Sequence, residues 1–389
     1  MSKEAVIVSA VRTAIGREGG TIGRIPPQFF GAEVIKEALK RINLDPNLVE
    51  DVIFGNCLNA GGNIARLCAL QAGLPMEITG ITIDRQCGSG LNAVNLAAQA
   101  IMAGQGDIYI AGGVESMSLR PYIMEHQDFF SKTPPQFRQG FQLSPSEIGN
   151  PEMGLTAENL AAKYNISREE QDAFALDSQQ KMAHAQANGV FNAQIVPLTV
   201  PQGKNPPVLF TRDEHPRPET TREGLAKLAP VFKKDGTVTA GNSSGLNDAA
   251  AAVIIMSSDK AKELGLKPLA KISSFAVAGV DPSIMGIGPV PATRKALKQA
   301  GLALKDIDLI ELNEAFAAQC LAVDRELGFD RNKVNVNGGA IAHGHPIAAT
   351  GAILTTKVVY EMEKRSARFG LVTACIGGGQ GIATIFEKA

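Results

Sequence analysis

Asp51-Val52-Ile53-Phe54-Gly55-Asn56 is an apolar run closed by a turn, and Asp308-Leu309-Ile310-Glu311-Leu312-Asn313 has the same form much later in the chain. What precedes each run is also alike. A helical pattern from Glu33 passes through Asn43-Leu44-Asp45-Pro46-Asn47 into the first, and one from Arg294 passes through Gly301-Leu302-Ala303-Leu304-Lys305-Asp306 into the second. The following segments match too. Cys87-Gly88-Ser89-Gly90 opens a helical pattern, and the apolar run 108–111 then ends in Gly112-Gly113-Val114-Glu115-Ser116. In the second copy, Ala348-Ala349-Thr350-Gly351 opens a helix, and the run 371–374 ends in Cys375-Ile376-Gly377-Gly378-Gly379. Self-similarity on this scale implies a duplicated α/β half, with the copies stacked face to face.

Outward from the repeat, residues 5–11 and 252–256 also read as buried strands. Residues 119–246 break the pattern, with six prolines between Pro197 and Pro218, the pair Phe129-Phe130 and a helix-like stretch at 156–189. Such a segment reads as an insertion over the first half, a natural cover for substrate or cofactor. The expected division is therefore an N-terminal unit, 1–268 (core 1–118 and 247–268, loop domain 119–246), and a C-terminal unit, 269–389.

The 389 residues carry a formal net charge of −1, with 44% apolar and 20% charged residues, so a basic nucleic-acid or membrane surface is not expected. Residues 249–256 form the longest apolar run, eight residues where a membrane span needs about 20. The start of the chain lacks the apolar length and cleavage site of a signal peptide. Five cysteines are too few for a disulfide scaffold and leave at least one free thiol, which fits a reducing, cytoplasmic setting.

Chemistry concentrates in the glycine-rich loops. Cys87 precedes a helix, whose macrodipole favours a thiolate, and the flanking glycines let amide N–H groups approach a carbonyl oxygen. A buried structural cysteine fits the same spacing equally well. Cys375 opens Cys375-Ile376-Gly377-Gly378-Gly379-Gln380-Gly381, but a strand follows, at 382–386, rather than the helix a dinucleotide fingerprint needs. His343 and His345 share a glycine-rich loop. With no third ligand nearby, an acid/base imidazole is favoured over a metal site. Asn313 could orient a catalytic group or cap the helix that follows.

Together these segments resemble the thiolase family over essentially the whole chain. The resemblance rests on Ser9-Ala10-Val11-Arg12-Thr13-Ala14-Ile15-Gly16, Cys87-Gly88-Ser89-Gly90, Gly112-Gly113-Val114-Glu115-Ser116-Met117 and Gly241-Asn242-Ser243-Ser244-Gly245-Leu246-Asn247-Asp248. It continues with Met285-Gly286-Ile287-Gly288-Pro289, Asn313-Glu314-Ala315-Phe316-Ala317, Gly338-Gly339-Ala340-Ile341-Ala342, Gly344-His345-Pro346 and Cys375-Ile376-Gly377-Gly378-Gly379. It implies a five-layered αβαβα fold with an inserted loop domain. It also implies reversible Claisen condensation of acyl-CoA thioesters (acetyl-CoA to acetoacetyl-CoA) or thiolysis of 3-ketoacyl-CoA.

By the same resemblance, Cys87 is the acylated nucleophile and His345 its activating imidazole. His345 forms one oxyanion hole with a water held by Asn313. Cys375 is the acid/base at the substrate α-carbon, and the amides of Cys87 and Gly377 form a second oxyanion hole. Arg217, Phe232, Ala240, Ser244 and Leu246 are the expected coenzyme A contacts, with Met153, Met285, Ala315 and Phe316 nearer the acyl end. Coenzyme A enters as substrate, with no permanent cofactor or metal, and the family implies a homodimer or homotetramer.

Five positions depart from the family's usual residues. Glu152 replaces the His of many acetoacetyl-CoA thiolases, so chain length is left open. Asp84 stands for Asn, His343 for an aliphatic residue, and Ala348 and Thr350 for Gly and Ser. The competing readings are another condensing enzyme of the superfamily, a binding protein that keeps the fold without activity, and a metal hydrolase on His343 and His345.

Overall fold

The computed structural model describes residues 3–59, 62–126, 132–137 and 140–389. Phe129 and Phe130 lie outside the described residues. The first half runs β1 (Ala5–Thr13), β2 (Gly16–Arg17), α1 (Pro27–Arg41), β3 (Asp51–Gly55), α2 (Ile64–Gln71), β4 (Thr79–Ile83), α3 (Ser89–Met102) and β5 (Ile108–Ser116). Next come α4 (Met153–Lys163), α5 (Arg168–Ala187), β6 (Ile195–Val196), β7 (Leu198–Gln202), β8 (Asn205–Phe210) and α6 (Arg222–Ala226). β9 (Asn247–Ser257), α7 (Ser258–Glu263), β10 (Ala270–Gly279), α8 (Pro289–Ala300) and β11 (Leu309–Leu312) follow. The chain closes with α9 (Ala317–Leu327), α10 (Ala340–His343), α11 (Ile347–Arg365), β12 (Phe369–Ile376) and β13 (Gln380–Glu387).

The main sheet has the order β11-β12-β13-β10-β1-β9-β5-β3-β4. It is two leaves of like topology, joined where Val6 and Ile7 of β1 pair with Lys271 and Ala270 of β10. In the first leaf β3 and β5 are parallel, β9 runs antiparallel to β5, and β1 antiparallel to β9. The second repeats this with β11, β12, β13 and β10. Even the one-turn 3₁₀ helices that enter β3 and β11, Pro46–Leu48 and Leu304–Asp306, correspond.

Side-chain alternation along the strands builds three cores. Val6, Val8 and Val11 of β1 pack outward with Phe30 and Val34 of α1 and Cys68 of α2. Ala5, Ile7 and Ala10 face the other way, onto Leu91 and Val94 of α3, Leu354 and Val358 of α11, and Val372 and Ala374 of β12. On the far side Leu371 and Ile385 meet Val290 and Ala296 of α8 and Leu321 of α9. The result is five layers: helices, leaf, the α3–α11 pair, leaf, helices. α3 and α11 cross closely because Gly90 and Gly351 meet backbone there: a Cβ on Gly90 would lie 2.6 Å from the Ala348 carbonyl oxygen, and one on Gly351 2.2 Å from Leu91 N.

The chain leaves the first leaf at Ser116 and re-enters beside it, with Ser116 paired to Asp248. Within the intervening segment, the helix expected over 156–189 is two helices. Tyr164-Asn165-Ile166 interrupts it, with Asn165 at φ 51°, and Ser167 starts α5 with a capping box to Glu170. The buried face of α5 carries Gln171, Asp172, Ser178 and Gln179, so apolar spacing marks no boundary there, and the reading needed the capping signal Ser167-Arg168-Glu169-Glu170.

Candidate active site

The glycine loops of both halves meet at the tips of α3 and α11. Cys87 sits in a single 3₁₀ turn, Gln86–Gly88, just before α3. That turn bends through Gln86 at φ 46°. Asp84 Oδ1 accepts from Gln86 N at 2.7 Å, and Ser89 Oγ accepts from Arg85 N at 2.8 Å and donates to Gln86 O at 2.7 Å, which together hold the bend.

The thiolate expected from the helix end is not the resting form. Burial pushes the Cys87 thiol up to about 11, and Glu115 and Asp84 push in the same direction. The Gly377 amide and the Cys87 amide both offer N–H groups to this sulfur and oppose the shift without cancelling it. Removal from water outweighs two N–H dipoles.

Cys375, the penultimate residue of β12, is fully buried, and its thiol is held well above its ordinary value by burial and by the nearby Cys87. The tight turn after it requires glycine: Gly378 and Gly379 have φ of 83° and 84°, and a Cβ on Gly379 would lie 2.3 Å from the Val280 carbonyl oxygen.

His345 is buried. Its Nδ1 lies 2.6 Å from Thr350 Oγ1 in the first turn of α11, and its backbone N donates to Asn247 Oδ1 at 2.8 Å. Asn313 Nδ2 stands 3.5 Å from His345 Nε2, while Asn313 Oδ1 has no hydrogen-bond partner among the described residues. Burial lowers the imidazole to about 4, so it is neutral at pH 7. With Nδ1–H assigned toward Thr350, the Nε2 lone pair is left to take a proton. Asn313 does not cap α9, which begins at Ala317 with Phe316 at its N-cap.

His343 lies in the one-turn α10, its Nδ1 2.8 Å from the Gly344 carbonyl oxygen. Among the described residues no group of three or more His, Cys, Asp or Glu side chains could hold a metal.

The residues expected near the substrate fall into two groups. Met285, Ala315 and Phe316 share one core with Cys375, and Met153 and Phe232 pack against it. Phe232 meets Phe316 edge-on at 6.1 Å, and a Cβ on Gly154 would collide with the Phe232 ring. A Cβ on Gly377 would lie 3.4 Å from Met153 Sδ, which brings that group next to the Cys375 loop. Arg217 and Ala240 instead line a surface cavity of about 200 Å³ with His215, Thr221 and Leu225. Ser244 N donates to Ala315 O at 3.0 Å and so bridges the two groups. Leu246 is exposed, with its carbonyl accepting from Glu18 N at 2.9 Å.

Three further residues belong to this site: Thr350, Asn247 and Glu115. The last had a visible signal, an acidic residue ending a strand that is otherwise apolar and glycine. Asn247 had none, because its bond to His345 crosses from one half to the other. Of the remaining cysteines, Cys68 and Cys320 are buried packing residues, but Cys57 is not; it is half-buried, 3.2 Å from Asp84 Oδ1 and 3.5 Å from Ser89 Oγ.

A duplicated five-layer α/β fold, with two cysteines and a neutral histidine where its halves meet, defines a class that comparison identifies. The family model for the thiolase N-terminal domain matches residues 5–259, and that for the thiolase C-terminal domain matches 266–388. The chain belongs to the thiolase family.

It is 52% identical over 400 residues to an acetyl-CoA acetyltransferase of Chromobacterium violaceum, covering 99% of this chain and 100% of that one. A probable acetyl-CoA acyltransferase of Staphylococcus epidermidis is 50% identical over 388 residues, covering 98% of each. The crystal structure of the Bacillus anthracis acetyl-CoA acetyltransferase superimposes with a TM-score of 0.96 at 46% identity, and that of human mitochondrial 3-ketoacyl-CoA thiolase with 0.94 at 44%. Each covers 100% of this chain and 99% of its own.

Proposed function

We propose that this acyl-CoA C-acyltransferase works through an acyl-enzyme on Cys87. It condenses two acetyl-CoA to acetoacetyl-CoA and, in reverse, cleaves 3-ketoacyl-CoA. The observation that carries the reading is the meeting of the two cysteine loops: a Cβ on Gly88, next to Cys87, would lie 2.6 Å from Ile376 Cδ1, next to Cys375, and the Cys87 and Gly377 amides both favour negative charge on the Cys87 sulfur. Two N–H donors aimed at one centre can also hold the oxyanion of a thioester under attack, a contribution of roughly 10²–10³ in rate per donor.

In the first half-reaction His345 Nε2 accepts the Cys87 thiol proton as sulfur attacks the thioester carbonyl. Coenzyme A leaves as a thiol by taking the proton of the Cys375 thiol, which leaves Cys375 as a thiolate and His345 protonated. Thioester exchanges for thioester, so the step is nearly balanced. In the second, the Cys375 thiolate removes a proton from the α-carbon of the incoming acetyl-CoA. The resulting enolate attacks the acyl carbonyl on Cys87, and the Cys87 thiolate departs and is reprotonated by His345, which returns all three groups to their starting forms. His345 and a water on Asn313 stabilise the enolate oxygen; the unpartnered Asn313 Oδ1 supports that role. Coenzyme A is bound through Arg217, Phe232, Ala240, Ser244 and Leu246, with Met153, Met285, Ala315 and Phe316 around the acyl group. No step calls for a metal or a permanent cofactor.

Single-turnover labelling with radioactive acetyl-CoA tests the reading, with label expected as a thioester on Cys87. A protein that turns over without that adduct sinks it. Cys375→Ser is expected to retain acylation of Cys87 while losing condensation by about 10²-fold or more, as removal of an acid/base group does; condensation kept within threefold would point to another condensing enzyme.

The unit boundaries 1–268 and 269–389, with 119–246 inserted, are part of the proposal, supported by re-entry of the chain at Asn247. So are a cytoplasmic location and a homodimer or homotetramer. Among the described residues no helix is long and apolar enough to cross a membrane. The open edge of β4, with Ile81 exposed near exposed Leu67 and Leu70 of α2, supports association of copies.

A further inference from the structure

Glu115, the penultimate residue of β5, is fully buried and is not used by the mechanism above. Its Oε1 accepts from Leu58 N at 3.0 Å and Asn56 Nδ2 at 3.1 Å, both in the loop after β3. Its Oε2 accepts from Cys57 N at 3.2 Å and, across the molecule, from Ala348 N at 3.1 Å. Ala348 lies in the first turn of α11, three residues beyond His345. The carbonyl of the same Ala348 is also enclosed by the first half: Cβ atoms on Gly55, Gly90 and Gly113 would lie 3.0, 2.6 and 2.3 Å from its oxygen. The amide and the carbonyl of one residue are thus both enclosed by the half that carries Cys87.

We propose that Glu115 is a positioning residue, whose carboxylate fixes the start of α11, and with it His345, against the half of the fold that bears the nucleophile. The proposal rests on the acyltransferase reading for its kinetic consequence, though not for its geometry. Ala348 donates to a carboxyl oxygen in a dry site, where a missing partner is costly and a displacement of 1 Å lowers rate steeply. Gln86 and Ser89 fix Cys87 locally; among the described residues, Glu115 is the carboxylate that ties the His345 loop to that local frame.

Two variants separate reach from charge. Glu115→Asp keeps the charge but is one methylene too short to span both Leu58 N and Ala348 N. Glu115→Gln keeps the reach with one acceptor oxygen. Glu115→Asp is expected to lower kcat for acetoacetyl-CoA thiolysis by about tenfold or more with KM within about twofold. Iodoacetamide modification of Cys87, which does not use His345, should stay within about twofold at the same pH. Glu115→Gln is expected to lose less in kcat, and its Cys87 alkylation midpoint should fall because a neighbouring charge is gone.

Native-state hydrogen exchange at 347–349 should accelerate by about tenfold or more in Glu115→Asp, with α8 unchanged. Exchange at 347–349 equal to wild type overturns the proposal whatever the activity. So does a parallel fall in kcat and in Cys87 alkylation, or failure of both variants to fold, which would make Glu115 a residue of the fold rather than of aim. A wild type that shows the exchange pattern but cleaves no 3-ketoacyl-CoA overturns the acyltransferase reading alone.

Discussion

Enclosing a thiol in protein removes the water that would solvate its thiolate, and Cys87 has two carboxylates, Glu115 and Asp84, for neighbours as well. The neutral thiol is therefore the stable form below about 11, and ionisation grows as pH rises toward that value. Iodoacetamide modification of Cys87 in the free protein is expected to climb about tenfold per pH unit from 7 to 10. A plateau near 8.5, the ordinary thiol range, would contradict the burial argument. Because His345 is depressed to about 4, it stays a neutral acceptor throughout that interval, and the acylation rate should show no histidine inflection near 6.5. Cys87, His345, Cys375 and Asn313 were legible as candidates because their residue types stand out in glycine-rich loops. Thr350 was read only as a departure; its bond to His345 Nδ1 appears once the first turn of α11 is folded.

At the scale of elements, short apolar runs were read at their true places, since each is a buried strand bounded by turn residues. The long stretch from Thr156 was misread because α5 buries polar residues, Gln171, Asp172, Ser178 and Gln179 among them, so only its caps mark where it starts. Ser167 Oγ accepts from Glu170 N at 3.2 Å, and Glu170 Oε2 accepts from Ser167 N at 2.8 Å. Ser167→Ala removes the first of these and is expected to cost about 1 kcal/mol in urea unfolding, with Ser167→Asp near wild type. Equal stability of Ser167→Ala and wild type would show that packing alone starts α5.

For the whole molecule, the insertion is tied to the first half by a buried ion pair. Arg12 of β1 donates to both oxygens of Asp213, at 2.7 and 3.0 Å, and lies 5.1 Å from the Phe191 ring. Asp213 Oδ1 also accepts from Ile15 N at 2.8 Å. Asp213→Ala would strand a guanidinium at 1% exposure, and a loss of about 3–5 kcal/mol is expected in equilibrium unfolding. A loss under 1 kcal/mol would mean that water reaches Arg12 in the native state.

The duplication, the strand and helix order, the positions of the glycine turns and the identity of the reactive side chains were determined by the sequence alone, because each depends on local pattern and residue chemistry. Which groups meet was decided by tertiary structure. The Gly377 amide at Cys87, Asn247 at His345 and Glu115 at Ala348 all join segments of opposite halves. So was the resting state of Cys87: a helix end favours the thiolate, and only the packing of two leaves around α3 and α11 supplies the desolvation that reverses it.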